Sequence, residues 1–166
     1  MDSQALFQWI YDTPVGTAIR ESGTFFPWIE SVHVLAITLV VGSIFIVDLR
    51  LLGVASKART VSRLSGEVLP FTWTAFLLAV ITGGLLFSSN AVKYSHNTMF
   101  IAKMALLIVA GLNMMVFHAI TSRGLAKWDA APKPPGPVRL AGAVSLIVWI
   151  AVVTCARWVG FTMSAF

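Results

Sequence analysis

The chain has 166 residues, 57% of them hydrophobic and only 11% charged, with a mean hydropathy of +0.83. A soluble domain carries about 25% charged residues, so this composition excludes the soluble globular class, and the length fits one membrane domain covering 1–166. The net charge of +5 and pI of 9.9 do not describe a nucleic-acid-binding face, because the basic residues fall in alternate loops, as the positive-inside rule requires.

Residues 3–22 precede any spanning run. Ala5, Leu6, Trp9 and Ile10 share one helical face, which predicts a short interfacial helix with an aromatic anchor. Thr13-Pro14 predicts an N-cap with proline at the first helical position, and Gly23 a stop, giving a second short helix over 14–22. The acidic start and the length of the first apolar run speak against a cleavable signal peptide. The first spanning helix is therefore expected to act as its own insertion signal.

Four charge-poor runs then reach or approach the roughly 20 residues that cross a bilayer. They predict transmembrane helices over about 27–52, 70–88, 98–121 and 140–161, an all-α polytopic membrane protein built as a four-helix bundle. Gly83-Gly84 near the end of the second span would permit close approach of a neighbour. The APKPPGP segment before the fourth span predicts a stiff extended linker. Single Cys155, in an apolar run, excludes an intramolecular disulfide and a cysteine-based metal cluster within these residues. The loops after the first and third spans hold Lys57, Arg59, Arg63, Arg123, Lys127, Lys133 and Arg139, against Lys93 alone in the connection between the second and third. This asymmetry predicts cytoplasmic positive loops and two periplasmic termini in a bacterial inner membrane.

With that orientation, the ionisable residues of the spans fall into two layers. His33, Lys103 and Arg157 lie towards the outer side, His33 about 10 Å from the midplane at 1.5 Å per residue. Asp48, Arg50 and His118 lie towards the inner side, with Asn113 somewhat higher. Ionisable groups within membrane segments are functional candidates by default. The outer cluster suits a b-type haem, with His33 as axial ligand and Lys103 and Arg157 beside the propionates. It would equally suit an anionic or quinone-like substrate. The structural alternative is an interhelical hydrogen bond from His33, with two long cations reaching the interface. His33 and His118 are the candidate metal ligands, but about 20 Å along the membrane normal keeps them from sharing one iron. Asp48 and Arg50 are expected to form a structural ion pair. Met114 and Met115 lie four and three residues before His118, a set that could hold copper(I), though methionine more often fills apolar gaps. His96, beside Tyr94 and Asn97, reads as a surface histidine. No nucleotide, dinucleotide, zinc-protease or serine-hydrolase signature occurs.

TPVGTAIRES, WIESVHVLAITLVVGSIFIVDLRLLG, LPFTWTAFLLAVITGGLLF, KYSHNTMFIAKMALLIVAGLNMMVFH and GAVSLIVWIAVVTCARWVGF together resemble an uncharacterised bacterial family of four-helix membrane proteins. The resemblance covers nearly the whole chain. It implies a recurring polar set at His33, Asp48, Arg50, Tyr94, Asn97, Lys103, Asn113, His118 and Arg157, and so adds Tyr94 and Asn97 to the cofactor-binding candidates. More distantly, a histidine early in one helix and a lysine starting another, as at His33 and Lys103, are similar to bacterial haem-containing protoporphyrinogen oxidase and to the copper-resistance D-type membrane domain. The resulting expectation is an inner-membrane haem b protein passing electrons to a periplasmic or membrane redox partner. The alternatives are copper handling, or a non-catalytic subunit of a larger complex or homo-oligomer.

Overall fold

The computed structural model describes residues 3–56, 58–119, 124–131 and 133–164, and among these the chain is all α-helical. The helices are α1 (Ser3–Tyr11), α2 (Pro14–Glu21), α3 (Phe25–Leu51), α4 (Val61–Ser89), α5 (Ala91–His96), α6 (Thr98–Ala119), α7 (Leu125–Trp128) and α8 (Gly136–Ser164). Four of them, α3, α4, α6 and α8, are long and apolar enough to cross a membrane. At 1.5 Å per residue the shortest, with 22 residues, still reaches about 33 Å. Their outward faces carry Leu35, Leu39, Phe71, Leu77, Ile108 and Ile147 in the open. In water such surfaces would aggregate; against lipid tails they are at home.

Two predicted boundaries move, for local reasons. The second span begins at Val61 rather than at Pro70. Thr60 caps it by accepting from the Arg63 amide at 3.3 Å, and Arg63 pairs with Glu67 one turn on at 3.0 Å. These first-turn contacts start the helix early enough to leave Pro70 in its interior, where the missing amide leaves the Gly66 carbonyl without its helical donor. The last span starts at Gly136, inside the segment expected to be extended, because Pro137 sits in a first turn whose amides have no helical acceptor anyway. Thr13 and Pro14 open α2 as the sequence predicts, with Thr13 Oγ1 accepting from the Gly16 amide at 3.2 Å. The connection between the second and third spans folds as α5. The predicted end of the third span at Thr121, and the loop cations Lys57 and Arg123, lie outside the described residues.

Packing follows a heptad stripe. The buried residues Val61, Leu64, Thr72, Ala75, Thr82, Leu86 and Ser89 of α4 are spaced by three, four, seven or eight positions, which keeps them on one face, and α3 is the most extensive neighbour of that helix. α3 also meets α8, and α8 in turn packs along α6, whereas α6 buries none of its residues. In space the spans therefore run α4, α3, α8, α6. One core cluster, around Val40, Ala75, Val148, Trp149 and Val152, sits among α3, α4 and α8. A second, Leu51, Val61, Trp128 and Val138, closes the end that bears α7. At the opposite end, α1, α2 and α5 are gathered. Arg20 donates to the Tyr11 and Ser89 carbonyls at 3.2 and 3.1 Å and lies over the Tyr11 ring at 3.8 Å. That one side chain ties α1 and α2 to the end of α4.

Candidate functional site

At the α1 end, His33 lies on the α4-facing stripe of α3, and its Nδ1 is 2.9 Å from Thr82 Oγ1. The Thr82 hydroxyl donates to the Leu78 carbonyl at 2.7 Å, so it accepts from the imidazole. The proton is thereby held on Nδ1, and Nε2 keeps its lone pair. A Cβ at position 83 would stand 3.0 Å from His33 Cε1, so Gly83 is what lets the ring lie against α4. The neighbour that the glycine pair admits is thus an imidazole, and only at its first member, since Gly84 has nothing within 4 Å. Lys103 is close enough to act on His33 electrostatically, and its Nζ lies 4.6 Å from the Phe100 ring.

The other residues expected beside His33 are engaged elsewhere. Arg157 is exposed and stacks over Phe161 at 4.7 Å. Asn97 caps α6, accepting from the Phe100 amide at 3.0 Å, and its amide donates to Thr162 at 2.8 Å. Tyr94 belongs to an aromatic cluster with Phe87 and Phe100 at 6.1 and 5.2 Å between ring centres. Burial pushes its phenol above the ordinary value, and the charge of Glu30 pushes the same way. These contacts hold the ends of helices together. His96 lies exposed on α5, with Nδ1 2.9 Å from the Val92 carbonyl. No group of three or more His, Cys, Asp or Glu side chains able to hold a metal occurs among the described residues.

At the α7 end, the expected ion pair is replaced by two separate arrangements. Residues two apart on a helix point to different faces, and Asp48 and Arg50 do so. Arg50 is 0% exposed. Its Nε donates to the Arg59 carbonyl at 2.8 Å, and Nη2 to the carbonyls of Asp129 and Ala131 at 3.2 Å each. It therefore sews the α3–α4 loop to the segment after α7. Among the described residues the ion pairs are Arg59–Glu67 and Arg63–Glu67. Asp48 turns instead towards α8, where Ser145 hydrogen-bonds its carboxyl. Only 5% of Asp48 is exposed, yet Oδ2 has no partner.

Asp48 lines a cavity of about 440 Å³ walled by all four spanning helices. The volume lies within the range of small-molecule sites, about 300–1,000 Å³. The walls are mostly aliphatic and aromatic, with Trp73, Phe76, Phe117 and Trp149 among them. Asn113 also lines it, its amide committed to the Ala141 carbonyl at 3.1 Å. The cavity reaches the outer face of the bundle between α4 and α6, where its wall residues Trp73, Phe76 and Met114 are exposed. His118 lines it too, with Nδ1 2.9 Å from the Met114 carbonyl. Of the set considered for copper, Met114 and His118 thus share this wall, while Met115 points outward and is exposed.

Sequence reasoning named Asp48 but not the hydroxyls that set the polar interior: Ser43, Thr72, Thr82 and Ser145. Thr72 Oγ1 and Ser43 Oγ lie 2.8 Å apart across α3 and α4. Their signal was available, since Thr72, Ala75, Ala79 and Thr82 repeat at heptad spacing in an otherwise aliphatic run, the small-residue pattern of a helix contact in lipid.

Over residues 6–162 the sequence matches a family of unknown function (DUF6644). No curated protein and no solved structure matches the chain. The likeness to protoporphyrinogen oxidase and the copper-resistance domain thus rests on His33 and Lys103 alone.

Proposed function

The chain belongs to this family of unknown function, and from its own geometry we propose that it is a multi-pass membrane protein that binds a small, largely apolar molecule. The site is the cavity between the four spans, and Asp48 with Ser145 is its polar anchor. The observation that carries this reading is a cavity of about 440 Å³ lined by Asp48, a residue only 5% exposed whose Oδ2 has no hydrogen-bond partner. Buried polar atoms are nearly always paired, and one that is not is expected where a ligand supplies the partner. By the distribution of Lys and Arg over the loops, the α7 end faces the cytoplasm of a bacterial inner membrane, which puts the cavity in the cytoplasmic half. The test is thermal unfolding of the purified protein in detergent against a panel of apolar small molecules. Ligands are expected to raise the melting temperature with the logarithm of their concentration above Kd, by about 2.7 kcal/mol of stability at one hundred times Kd. Ala110→Phe, which fills the cavity wall, is expected to abolish the shift. If no compound stabilises the protein and Ala110→Phe merely raises its melting temperature, the cavity is a packing gap and the reading is lost.

A second reading is supported by His33, whose Nδ1 is tied to Thr82. Metal-bound histidines are usually fixed through the opposite nitrogen in this way. We propose on that ground a b-type haem with His33 as axial ligand and electron transfer as its use. A dithionite-reduced sample without Soret or α-band absorption, after expression with haem supplied, removes it.

A further inference from the structure

We infer that the molecule bound in the cavity is a lipophilic ammonium, a protonated amine on an apolar body, held by the Asp48 carboxylate and aromatic walls. This rests on the cavity being a ligand site, as proposed above, and goes on to say what fills it.

Three observations point the same way. First, Asp48 is the one acidic side chain among the described residues that line the cavity, and its Oδ2 has no hydrogen-bond partner. A ligand that brings donors and a positive charge meets both needs of that carboxylate. Second, no Lys or Arg lines the cavity among the described residues. Arg50, the nearest buried cation in sequence, is not among the wall residues: its Nε and Nη2 are given to the carbonyls of Arg59, Asp129 and Ala131, while its Nη1 is buried without a hydrogen-bond partner. A carboxylate or phosphate ligand would meet Asp48 with nothing to neutralise either, whereas an ammonium supplies both the missing donor and the opposite charge. Third, Trp73, Phe76, Phe117 and Trp149 contribute to the wall. Aromatic faces attract cations, most strongly where water is excluded. A neutral alcohol would use the hydrogen bond alone. The ammonium uses the charge and the ring faces as well. The opening between α4 and α6 faces the lipid, so a molecule that partitions into the bilayer has direct access.

The test uses full-length protein in nanodiscs of zwitterionic lipid, with protein-free nanodiscs subtracted. Equilibrium dialysis measures four probes on one apolar body: 1-naphthylmethylamine, its trimethylammonium analogue, 1-naphthylmethanol and 1-naphthoic acid. The amine is expected to bind saturably and most tightly, the quaternary analogue more weakly, the alcohol weaker still, and the acid not at all. Asp48→Asn is expected to weaken the amine at least about thirtyfold, the loss typical of removing one partner of a buried charge pair. The alcohol should lose far less. Equal binding of alcohol and amine, or binding of the acid, overturns the inference while leaving the cavity a ligand site. Saturable amine binding that survives both Asp48→Asn and Ala110→Phe overturns it also, by placing the amine elsewhere. Should Asp48→Asn fail to fold, the order of the four probes on the unmodified chain still decides.

Discussion

Arg50 bears the largest single load in the α7 end. Its guanidinium holds three carbonyls from two connections, so Arg50→Met would leave acceptors without donors in a buried place. A loss of about 3 kcal/mol or more is expected, read as a lower melting temperature and earlier proteolytic nicking of the loop at 52–60. Asp129, in the same corner, accepts from the Ser62 amide at 2.7 Å and from the Ser62 hydroxyl. Burial alone would raise its carboxyl. The Ser62 hydroxyl and amide, the Val61 amide and the charge of Arg50 outweigh that and hold it below the ordinary value of 3.8. A carboxyl lowered by folding stabilises above its unfolded value and loses that contribution as pH falls through its folded one. The melting-temperature difference between the unmodified protein and Asp129→Asn should thus be constant from neutral pH to about 5 and shrink below 3.8. The sequence flagged Asp48 and Arg50 as residues needing partners. It could not say which partners, because loop carbonyls leave no side-chain signature, and opposite charges two positions apart invite a pairing that helical geometry forbids.

Among the helices, the contacts that decide placement are made by residues with little or no side chain. A Cβ on Gly16 would lie 2.6 Å from the Ser88 carbonyl, a backbone atom that cannot swing aside. Gly16→Ala is therefore expected to lift α2 from α4 at a cost of about 1–3 kcal/mol, the usual range for overpacking. Faster hydrogen exchange over 14–21 and at the end of α4 would report it; unchanged exchange there would deny the contact. Thr82→Val removes the acceptor that fixes the His33 tautomer. The expected loss is only about 0.6 kcal/mol, as for interhelical hydrogen bonds in membranes, but the 15N spectrum of the imidazole should change from one tautomer to a mixture. At this scale the four spans were legible from apolar run length alone, and α2 from Thr13-Pro14. Their ends were not. Pro70 and the proline-rich run before Gly136 signal breaks in the general case, and here the contacts of Thr60, Arg63 and Glu67, with a first-turn position for Pro137, allow helix instead.

For the whole molecule, the proposed orientation, with the Lys- and Arg-rich loops in the cytoplasm, expects both termini outside. Alkaline phosphatase fused after Phe166 should be active in a bacterial host, and the same enzyme placed within the loop at 52–60 inactive; the reverse pattern would invert the orientation. The bundle itself was readable in the sequence, but its interior was not. Depth along the membrane normal can be counted from residue numbers, which is how His33 and Lys103 were expected to meet. Rotation of one helix about its axis, and the order of neighbours, cannot be counted that way. So the cavity at Asp48 was invisible, and so was the exposed position of Arg157 over the Phe161 ring.

The order α4, α3, α8, α6 leaves the first and last of these helices joined by α5 and by the stacked rings of Phe87 and Phe100, 5.5 Å apart. At the α7 end the same two helices each reach the second core cluster, α4 through Val61 and α6 through Phe117. The cavity is therefore a window in a frame fastened above and below, and a molecule passing between α4 and α6 meets an opening whose height is fixed by packing at both ends.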